Sequence, residues 1–372
     1  MRIAFAYDSA YPWVRGGIER RMFLIMREMV GKGHEVHMFS MFREGMRGYE
    51  FKENGIHYHC VGTALPTSQM YKNGRRNIGW AVKYALLLDT KIWSYRFDLI
   101  DADAFPFLHI PKLALYAALT GAKFIVTWDE AWDMDYWLKY LSFGGLAGFG
   151  MEKLSSVSTN RMIANMSDTK QDMVRNLDVN PDNVEVLPAA ISAREIREFR
   201  VKHKATKKSG FVVVARLVHY KRVDVALHAV AGTGERLTVI GSGPDKEKLI
   251  ALSKSLGISK RVEFVSGLSE YEYKKRLSCA KALLMFSKKE GMSITTIEAL
   301  ALGTPVIITK DTSLPKQIRE YCITMELRKG ALDNFAKKGY LSSGLSRKVS
   351  EKVIKEFSVE RAGRVYERLC KR

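Results

Sequence analysis

Cysteine is scarce in this chain, and the cysteines that occur lie far apart. There are four of them: Cys60, Cys279, Cys322 and Cys370. Secreted scaffolds held together by disulfides carry denser cysteines in shorter chains, and zinc ribbons need Cys-x-x-Cys pairs. The spacing therefore excludes a disulfide framework and a paired-cysteine metal site.

Long hydrophobic runs are also missing from the sequence. No stretch of about 18 uncharged apolar residues occurs, so no membrane-spanning helix is predicted. The first residues, MRIAFAYDSAYP, have no long apolar centre and no cleavage-like end, and they are expected to form a first strand rather than a signal peptide. We expect a cytoplasmic protein, with peripheral attachment at the inner membrane face left as an alternative.

A complete dinucleotide-binding fingerprint is absent as well. The segment VIGSGP at 239–244 is a strand-like run followed by Gly241 and Gly243, but Asp245 and Lys246 follow where a third glycine is required. This excludes a nicotinamide cofactor. A tight loop at Gly241 that lines a ligand cleft stays compatible with the sequence.

Acidic residues are few in the C-terminal half. Residues 1–190 hold 22 Lys and Arg against 21 Asp and Glu, whereas residues 191–372 hold 38 against 19. A strongly basic domain attracts nucleotides, nucleic acid or acidic lipid headgroups. A lysine-rich surface in water explains many of these residues equally well.

The dominant positive feature is a repeated alternation of strand-like and helix-like segments. This alternation predicts βαβ units and parallel sheets. The charged segment 192–209 interrupts it and is predicted to link two domains, each a doubly wound Rossmann-like sheet facing a common cleft. In such sheets ligands bind outside the carboxyl ends of the strands.

Two glycines stand between the first strand and the first helix. Gly16 and Gly17 allow a ligand to approach the backbone closely, and the helix that follows offers free N–H groups to an anion. An ordinary glycine turn would have the same sequence.

Two cations follow the first strand of the second half. Arg216 ends the apolar run 211–215, and Lys221 comes shortly after it. Arginine can donate two parallel hydrogen bonds to a phosphate, and lysine adds a mobile point charge. Together they would neutralise a leaving diphosphate. The alternative is a pair of surface cations in a basic region.

Two carboxylates, Glu290 and Glu298, stand at the start of a predicted helix and inside it. Ser293 is expected to cap this helix, and Gly303 and Pro305 to end it. One carboxylate can accept hydrogen bonds from ribose hydroxyls and the other from sugar hydroxyls. A capped core helix with two solvated glutamates fits the same pattern.

The start of that helix is also a candidate anion site. Gly291 is expected to let the chain turn sharply, so that backbone amides point towards the ligand. These amides belong to Gly291, Met292, Ser293 and Ile294.

Three other segments allow a functional and a structural interpretation. The Asp-x-Asp pattern at 101–103 is typical of metal sites but is common by chance, and no metal is predicted. The acidic and aromatic segment 128–137 suits sugar recognition or simple packing. The basic, aromatic segment 70–96 suits a helix on an anionic bilayer, although a helix packed on its domain is favoured.

The ordered set of these motifs resembles the family 4 glycosyltransferases, a retaining group with the GT-B fold. The resemblance runs over nearly the whole chain and is most specific in the Glu-x7-Glu element from Glu290 to Glu298, which continues into ALALGTPV. It implies an N-terminal acceptor domain (1–190), a donor domain (191–355) and a C-terminal helix (356–372) that crosses back to the first domain.

The resemblance also implies roles for individual residues. Arg216 and Lys221 would hold the donor diphosphate, Glu290 the transferred hexose and Glu298 the ribose. The Gly16-Gly17 loop would close over the phosphates. No cofactor or metal is implied beyond a UDP- or GDP-linked sugar as donor, and the acceptor would be a glycan, a lipid or a small molecule.

Two positions depart from the family pattern. Asp129 stands where the family usually has histidine, and Ala189 and Ala190 stand where it often has Asn-Gly. Asp129 is therefore a candidate catalytic residue on the acceptor side. A non-catalytic relative that only holds a nucleotide or a partner subunit would also fit, whereas a nucleic-acid binder lacks any recognisable module.

Overall fold

The computed structural model describes residues 1–65, 71–72, 75–203, 208–288, 290–328, 330–337 and 347–371. These residues form two compact units, one made of residues 1–190 and 358–372 and the other of residues 191–357. Parts of three predicted segments lie outside the described residues: 70 and 73–74 of the basic segment, 204–207 of the linker, and 346 and 372 of the tail.

The first unit is built on a sheet whose central strands are apolar and buried. The strands of the N-terminal part of the chain are β1 (Arg2–Ala6), β2 (Glu35–Phe42), β3 (Glu50–Glu53), β4 (Ile56–Thr63), β5 (Tyr71–Lys72), β6 (Arg75–Arg76), β7 (Leu99–Asp103), β8 (Lys123–Trp128), β9 (Met162–Ala164) and β10 (Val184–Val186). The sheet order is β10-β9-β8-β7-β1-β2-β4-β3, while β5 and β6 pair separately. All ladders of the large sheet are parallel except β3 with β4.

Helices cover both faces of this sheet, which explains why its strands are apolar on both sides. The helices of the first unit are α1 (Gly17–Gly31), α2 (Ile78–Ile92), α3 (Ile110–Thr120), α4 (Met134–Leu141), α5 (Gly145–Ser156), α6 (Ser167–Leu177) and α15 (Glu360–Lys371). One core cluster lies under α2, α3 and α4, and the other lies under α1 and α15.

The second unit repeats this architecture on a parallel sheet of six strands. Its strands are β11 (Phe211–Val214), β12 (Leu237–Ile240), β13 (Val262–Val265), β14 (Ala282–Met285), β15 (Val306–Ile308) and β16 (Ile323–Thr324). Their order in the sheet is β13-β12-β11-β14-β15-β16. Its helices are α7 (Ala193–Lys202), α8 (Val223–Ala231), α9 (Lys246–Ser255), α10 (Glu270–Cys279), α11 (Ile294–Ala301), α12 (Lys316–Arg319), α13 (Ala331–Lys337) and α14 (Arg347–Phe357).

The C-terminal helix returns to the first unit, as predicted. The α14 helix belongs to the second unit, while α15 contacts α1 in the first. Lys32 Nζ lies 2.9 Å from Glu367 Oε1, and the Tyr366 hydroxyl donates to buried Asp101 Oδ2. The chain therefore passes between the two units a second time, at 357–358.

The segment predicted as a linker is largely a helix. Residues 193–202 form α7, in which Ser192 Oγ accepts a hydrogen bond from the Glu195 amide at 3.3 Å. Ile196 and Phe199 are buried on its inner face. Arg194, Arg197 and Glu198 are exposed on α7, so for this part of the segment the 3.6-residue spacing of the apolar residues was the better signal.

Among the described residues, no helix is both long enough and apolar enough to cross a membrane.

Candidate functional site

The predicted site residues follow strands at two positions where strand order reverses. In the first sheet β1 lies between β7 and β2, and in the second sheet β11 lies between β14 and β12. The crevice outside the carboxyl ends at such a reversal is the usual ligand position in doubly wound sheets. Asp103 ends β7 in the first unit, and Arg216 comes two residues after β11 in the second.

Three residues of the predicted donor site lie together at the carboxyl edge of the second sheet. Lys221 Nζ and Glu290 Oε1 form an ion pair at 2.7 Å, with side chains only 17% and 11% exposed. Arg216 is exposed, and its Nη2 donates to the Tyr220 hydroxyl at 2.7 Å. Tyr220 thus joins the arginine to the lysine, whose Nζ lies 5.4 Å from the centre of the Tyr220 ring.

Backbone bonds hold the two loops of this cluster together. The Tyr220 carbonyl accepts from the Lys288 amide at 2.9 Å and from Ser287 Oγ at 3.4 Å. No sequence pattern points to Tyr220, because tyrosine after a strand has no characteristic spacing. Its role depends on the β14 loop being adjacent, which only the sheet order provides.

Gly241 belongs to the same edge and has a backbone reason to be glycine. Its φ is 149°, and a Cβ there would collide with the Ala215 carbonyl oxygen. The loop after β12 therefore lies directly against the residue that precedes Arg216. This agrees with the expected tight loop beside the candidate site.

The start of α11 differs from the prediction. Gly291 does not adopt a left-handed conformation, and a Cβ on it would meet open space. Ser293 adopts the left-handed conformation instead, with φ 50°, and its side chain caps no backbone amide. Its Oγ lies 2.8 Å from Thr296 Oγ1. Ser293 thus occupies the N-cap position, as predicted, but its side chain makes no capping bond, and the left-handed residue is Ser293 rather than Gly291.

Amides at this helix start nevertheless remain candidate donors. The first turn of any α-helix has N–H groups without partners inside the helix. Gly291 is exposed, Ser293 and Ile294 are half-buried, and the Met292 side chain is buried. The backbone of 291–294 comes directly after Glu290, so it lies beside the Lys221 ion pair.

Glu298 is buried in α11 rather than solvated. It is only 3% exposed, and its Oε2 accepts from the Tyr273 hydroxyl at 2.7 Å. Tyr273 lies on α10, whose position beside α11 could not be read from spacing. Of the four predicted residues, Arg216, Lys221 and Glu290 are thus joined through Tyr220 and an ion pair, while Glu298 contacts Tyr273.

Gly16 and Gly17 begin α1 in the first unit. A Cβ on Gly16 would collide with the carboxylate of Glu19, which is 7% exposed. Glu19 is the third residue of the helix, so its carboxylate folds back over the helix start, as in a capping box. An approaching phosphate would meet this negative charge as well as the N–H groups.

Asp129 lies one residue after β8 in the first unit and is held by a small polar network. Its Oδ1 accepts from Asn165 Nδ2 at 2.7 Å, and Asn165 Oδ1 accepts from Thr169 Oγ1 at 2.7 Å. A further carboxyl, that of Asp103, faces it. Burial, followed by the charge of Asp129, raises the pKa of Asp103 well above its ordinary value.

The Asp-x-Asp pattern is structural at its first residue. Asp101 accepts from the Tyr366 hydroxyl and from Thr127 Oγ1, the latter at 2.7 Å. Burial raises the pKa of Asp101. Within the described part of the chain, no group of three or more His, Cys, Asp or Glu side chains has the arrangement of a metal site.

The aromatic segment 128–137 places two of its three tryptophans in the core. Trp128 and Trp137 are buried, while Trp132 is half-buried. Glu152, buried on α5, accepts from the Trp132 amide at 2.9 Å and from Trp137 Nε1. Burial raises the pKa of Glu152 to about 7.

Two family models match consecutive parts of the chain. Residues 15–195 match the model described as Glycosyltransferase Family 4, and residues 195–327 match Glycosyl transferases group 1. Together the two matches extend from residue 15 to residue 327.

Several named proteins are similar to this chain in sequence or structure over most of their length. A Campylobacter jejuni protein, N-acetylgalactosamine-N,N'-diacetylbacillosaminyl-diphospho-undecaprenol 4-alpha-N-acetylgalactosaminyltransferase, is 26% identical over 83% of this chain and 81% of its own. Sucrose-phosphate synthase from Thermosynechococcus elongatus has a similar structure, with a TM-score of 0.75, 16% identity and coverage of 99% and 98%. HepE from Anabaena in complex with UDP-glucose has a TM-score of 0.69 at 12% identity, with both chains fully covered.

Two Rossmann-like sheets, parallel except for the β3–β4 pair, and a C-terminal helix that returns to the first unit define the GT-B fold. Within that class, the chain belongs to the group 1, family 4 glycosyltransferases, a retaining family that transfers sugars from nucleotide-sugar donors. The resemblance expected from the sequence is thereby confirmed.

Proposed function

We propose that this protein transfers a hexose from a nucleotide-diphosphate sugar to a hydroxyl of a glycan or lipid acceptor, with retention of configuration. One observation carries the proposal. Arg216, Lys221 and Glu290 come together at the carboxyl edge of the second sheet, where the strand order reverses.

The Lys221–Glu290 ion pair suits a site that exchanges partners when the donor binds. A pyrophosphate carries more negative charge than one carboxylate, so it would draw the Lys221 ammonium away from Glu290. Arg216, which is exposed, would donate to the same phosphates through its fork of N–H groups. Glu290 would then be free to accept from a hydroxyl of the hexose.

In the transfer step the acceptor oxygen bonds to the anomeric carbon as the bond from that carbon to the diphosphate oxygen breaks. The proton of the acceptor hydroxyl passes to the leaving diphosphate. Negative charge grows on the diphosphate during this step, and cations placed beside it in advance stabilise the transition state more than the ground state. This is the role we assign to Arg216 and Lys221, with help from the amides of 291–294.

Glu298 and Tyr273 would form the nucleoside end of the site. Carboxylates accept from the ribose hydroxyls, and the Tyr273 hydroxyl, 2.7 Å away, fixes the direction of the Glu298 carboxylate. Because Glu298 is almost fully buried, the nucleoside must displace neighbouring side chains to reach it.

The relatives support a choice of donor and acceptor for the first assays. The HepE structure contains UDP-glucose, and the name of the C. jejuni protein describes a diphospho-undecaprenol-linked sugar as its substrate. We therefore propose a UDP-hexose as donor and a lipid-linked glycan as acceptor.

A lipid-linked acceptor agrees with an apolar surface on the first unit. The contacting helices α3 and α5 and the turn before α5 expose large apolar side chains to solvent. They are Leu115, Leu119, Phe143, Leu146, Leu154 and Val157. We propose peripheral contact between this surface and a membrane, which flotation with anionic vesicles tests. Phe143→Ser together with Leu146→Ser should abolish co-flotation if the surface is used.

Nucleotide titration tests the donor site directly. Isothermal titration of the wild type with UDP and GDP should detect binding of one of them, and Arg216→Ala and Glu298→Ala should each weaken it at least 10-fold. Lys281→Ala is the matched control, because Lys281 pairs with Glu235 at 2.5 Å and precedes β14, at the opposite edge of the sheet. Binding of neither nucleotide, or equal binding by all variants, would refute the donor site.

A second candidate function is nucleotide binding without transfer. It is favoured by Ala189 and Ala190, which are fully buried where the family often has polar residues. Release of UDP from UDP-glucose, with and without a panel of acceptors, separates the two. Tight UDP binding with no release in any mixture would support the non-catalytic alternative.

A further inference from the structure

Two carboxyl groups at the ends of adjacent strands face each other in the first unit. Asp103 is the last residue of β7 and pairs in register with Thr127 of β8, and Asp129 follows two residues later. Asp103 is 1% exposed, whereas Asp129 is half-buried and reaches the carboxyl edge of the sheet.

In both Asp103 and Asp129, one carboxyl oxygen accepts a hydrogen bond from the described residues and the other does not. Asp103 Oδ1 accepts from the Phe105 amide at 3.2 Å, and Asp129 Oδ1 accepts from Asn165 Nδ2 at 2.7 Å. Neither Oδ2 receives a bond from an N–H or O–H donor among the described residues, and both atoms are buried. The register of β7 with β8 places the two carboxyl groups side by side, and the charge of Asp129 acts on Asp103.

A hydrogen bond between two carboxyl groups requires one proton, since two carboxylates offer only acceptors. Desolvation favours the neutral form at the more buried position, which is Asp103. The other charges that act on Asp103 are those of Arg21, which lowers its pKa, and Asp101, which raises it. Tyr84 lies close to Asp103, and burial, followed by the charge of Asp8, raises the pKa of its hydroxyl.

We propose that Asp103 is a positioning residue for Asp129: as a neutral acid, it donates its O–H to Asp129 Oδ2, while Asn165 holds Oδ1 from the other side. This inference rests on the proposed function and adds to it that Asp129, the candidate catalytic residue on the acceptor side, accepts a hydrogen bond from a sugar hydroxyl. Because Asp103 and Asn165 each hold one of its oxygens, the Asp129 carboxylate keeps a single orientation. It still has lone pairs that can accept a hydrogen bond from the sugar hydroxyl.

Retention of the proton by Asp103 has a consequence for pH dependence. When pH rises far enough to remove it, two adjacent carboxylates repel each other, and Asp129 loses one of its two anchors. Activity should therefore fall on the alkaline side as Asp103 ionises. An amide at position 103 can donate to Asp129 at any pH, so Asp103→Asn should lack this decline.

Two variants and two readouts test the inference. With UDP-glucose as donor and release of UDP as the signal, Asp103→Ala should lower kcat about 10- to 100-fold with little change in KM, because the carboxylate loses its orientation. Asp103→Asn should keep most of the neutral-pH rate and lose the alkaline decline. The affinity for UDP should be unchanged in both, since the proposed phosphate-binding residues belong to the second unit.

Carbon-13 NMR of protein labelled at the aspartate carboxyl carbon measures the protonation of the Asp103–Asp129 dyad and requires no enzymatic turnover. The wild type should show one carboxyl that keeps its proton through neutral pH, and Asp103→Asn should lack that signal. Absence of such a carboxyl in the wild type would overturn the inference. So would active Asp103→Asn with an unchanged alkaline decline. A wild type that binds no nucleotide but shows the protonated carboxyl would instead refute the proposed function and leave the dyad standing.

Discussion

The carboxyl edges of the two sheets differ in the charge and the burial of their ionisable side chains. The edge of the second unit presents Arg216 to solvent and holds Lys221 and Glu290 as a partly accessible ion pair. The edge of the first unit buries Asp101 and Asp103, and burial raises the pKa of both. A similar sheet topology therefore presents accessible cations at one edge and buried carboxyl groups at the other.

The difference has a physical basis in burial. An exposed cation can exchange water for phosphate at little cost, which suits a substrate that comes and goes. A buried carboxyl must be hydrogen-bonded or neutral, because its charged form is poorly solvated. Changes at the second edge should thus affect ligand binding, whereas changes within the first unit should affect stability and pH dependence.

The largest effect is expected from Lys221→Ala in the second unit. It removes a cation from the proposed leaving diphosphate, and transfer should slow by about 100- to 1,000-fold. The wild-type and variant rates of UDP release from UDP-glucose measure this. Lys281→Ala, which breaks an ion pair elsewhere in the same unit, should leave the rate within about twofold of the wild type. Equal losses in the two variants would contradict a specific phosphate role.

Glu152 should give the first unit a pH-dependent stability. Its pKa rises from 4.5 to about 7 on folding, so the folded state binds the extra proton more tightly. The stabilisation is complete below about pH 4.5 and is lost as pH rises through about 7, by about 3 kcal/mol. Urea unfolding across this range should show the decline, and Glu152→Gln should flatten it. If the free energy of unfolding of Glu152→Gln fell by the same amount over this pH range, the decline would be due to other groups.

Tyr366→Phe should weaken the return of the C-terminal helix to the first unit. It leaves Asp101 Oδ2 without the tyrosine hydroxyl, and a lost bond to a buried acceptor costs about 1–3 kcal/mol in the free energy of unfolding. Denaturant unfolding measures the change. Tyr321→Phe in the second unit is the comparison, because its hydroxyl donates to Glu356 in a half-buried setting. A larger loss of unfolding free energy in Tyr321→Phe than in Tyr366→Phe would contradict this prediction.

The smallest effect is expected for an exposed ion pair of the second unit. Arg276 contacts Glu263 at 2.5 Å, with side chains 31% and 53% exposed. Surface pairs of this kind contribute little, so Arg276→Ala should change the free energy of unfolding by no more than about 0.5 kcal/mol and leave UDP affinity unchanged. A marked loss of affinity would mean that the proposed anion-binding edge of the second unit extends to α10.

Much of the donor side could be predicted from local sequence. Arg216 and Glu290 stand directly after strand-like runs, and parallel strands bring such positions to one edge. The Lys221–Glu290 ion pair and the role of Tyr220 could not be predicted, because they require β11 and β14 to be neighbours although two strands separate them in the chain. The left-handed conformation of Ser293 and its missing side-chain cap could not be predicted, since residue preferences in turns are statistical and the surrounding loop decides.

The first unit was harder to predict for a related reason. The strands β3 and β4 and the helices α4 to α6 carry mixed apolar and polar residues, so their spacing gives a weaker signal. The proposed hydrogen bond between Asp103 and Asp129 joins residues from neighbouring strands. Their carboxyl groups have no sequence pattern that distinguishes a shared proton from two separate charges.

The class of fold, the position of the strands that carry the site, and the family can all be read from local patterns in the chain. Periodicity and motif order are local properties that survive any arrangement of the elements. Which charges are paired, which are buried and which side chains are proposed to share a proton depend on the folded structure. Those outcomes depend on distance and solvation between residues far apart in the chain, and both are fixed only when the sheets have formed.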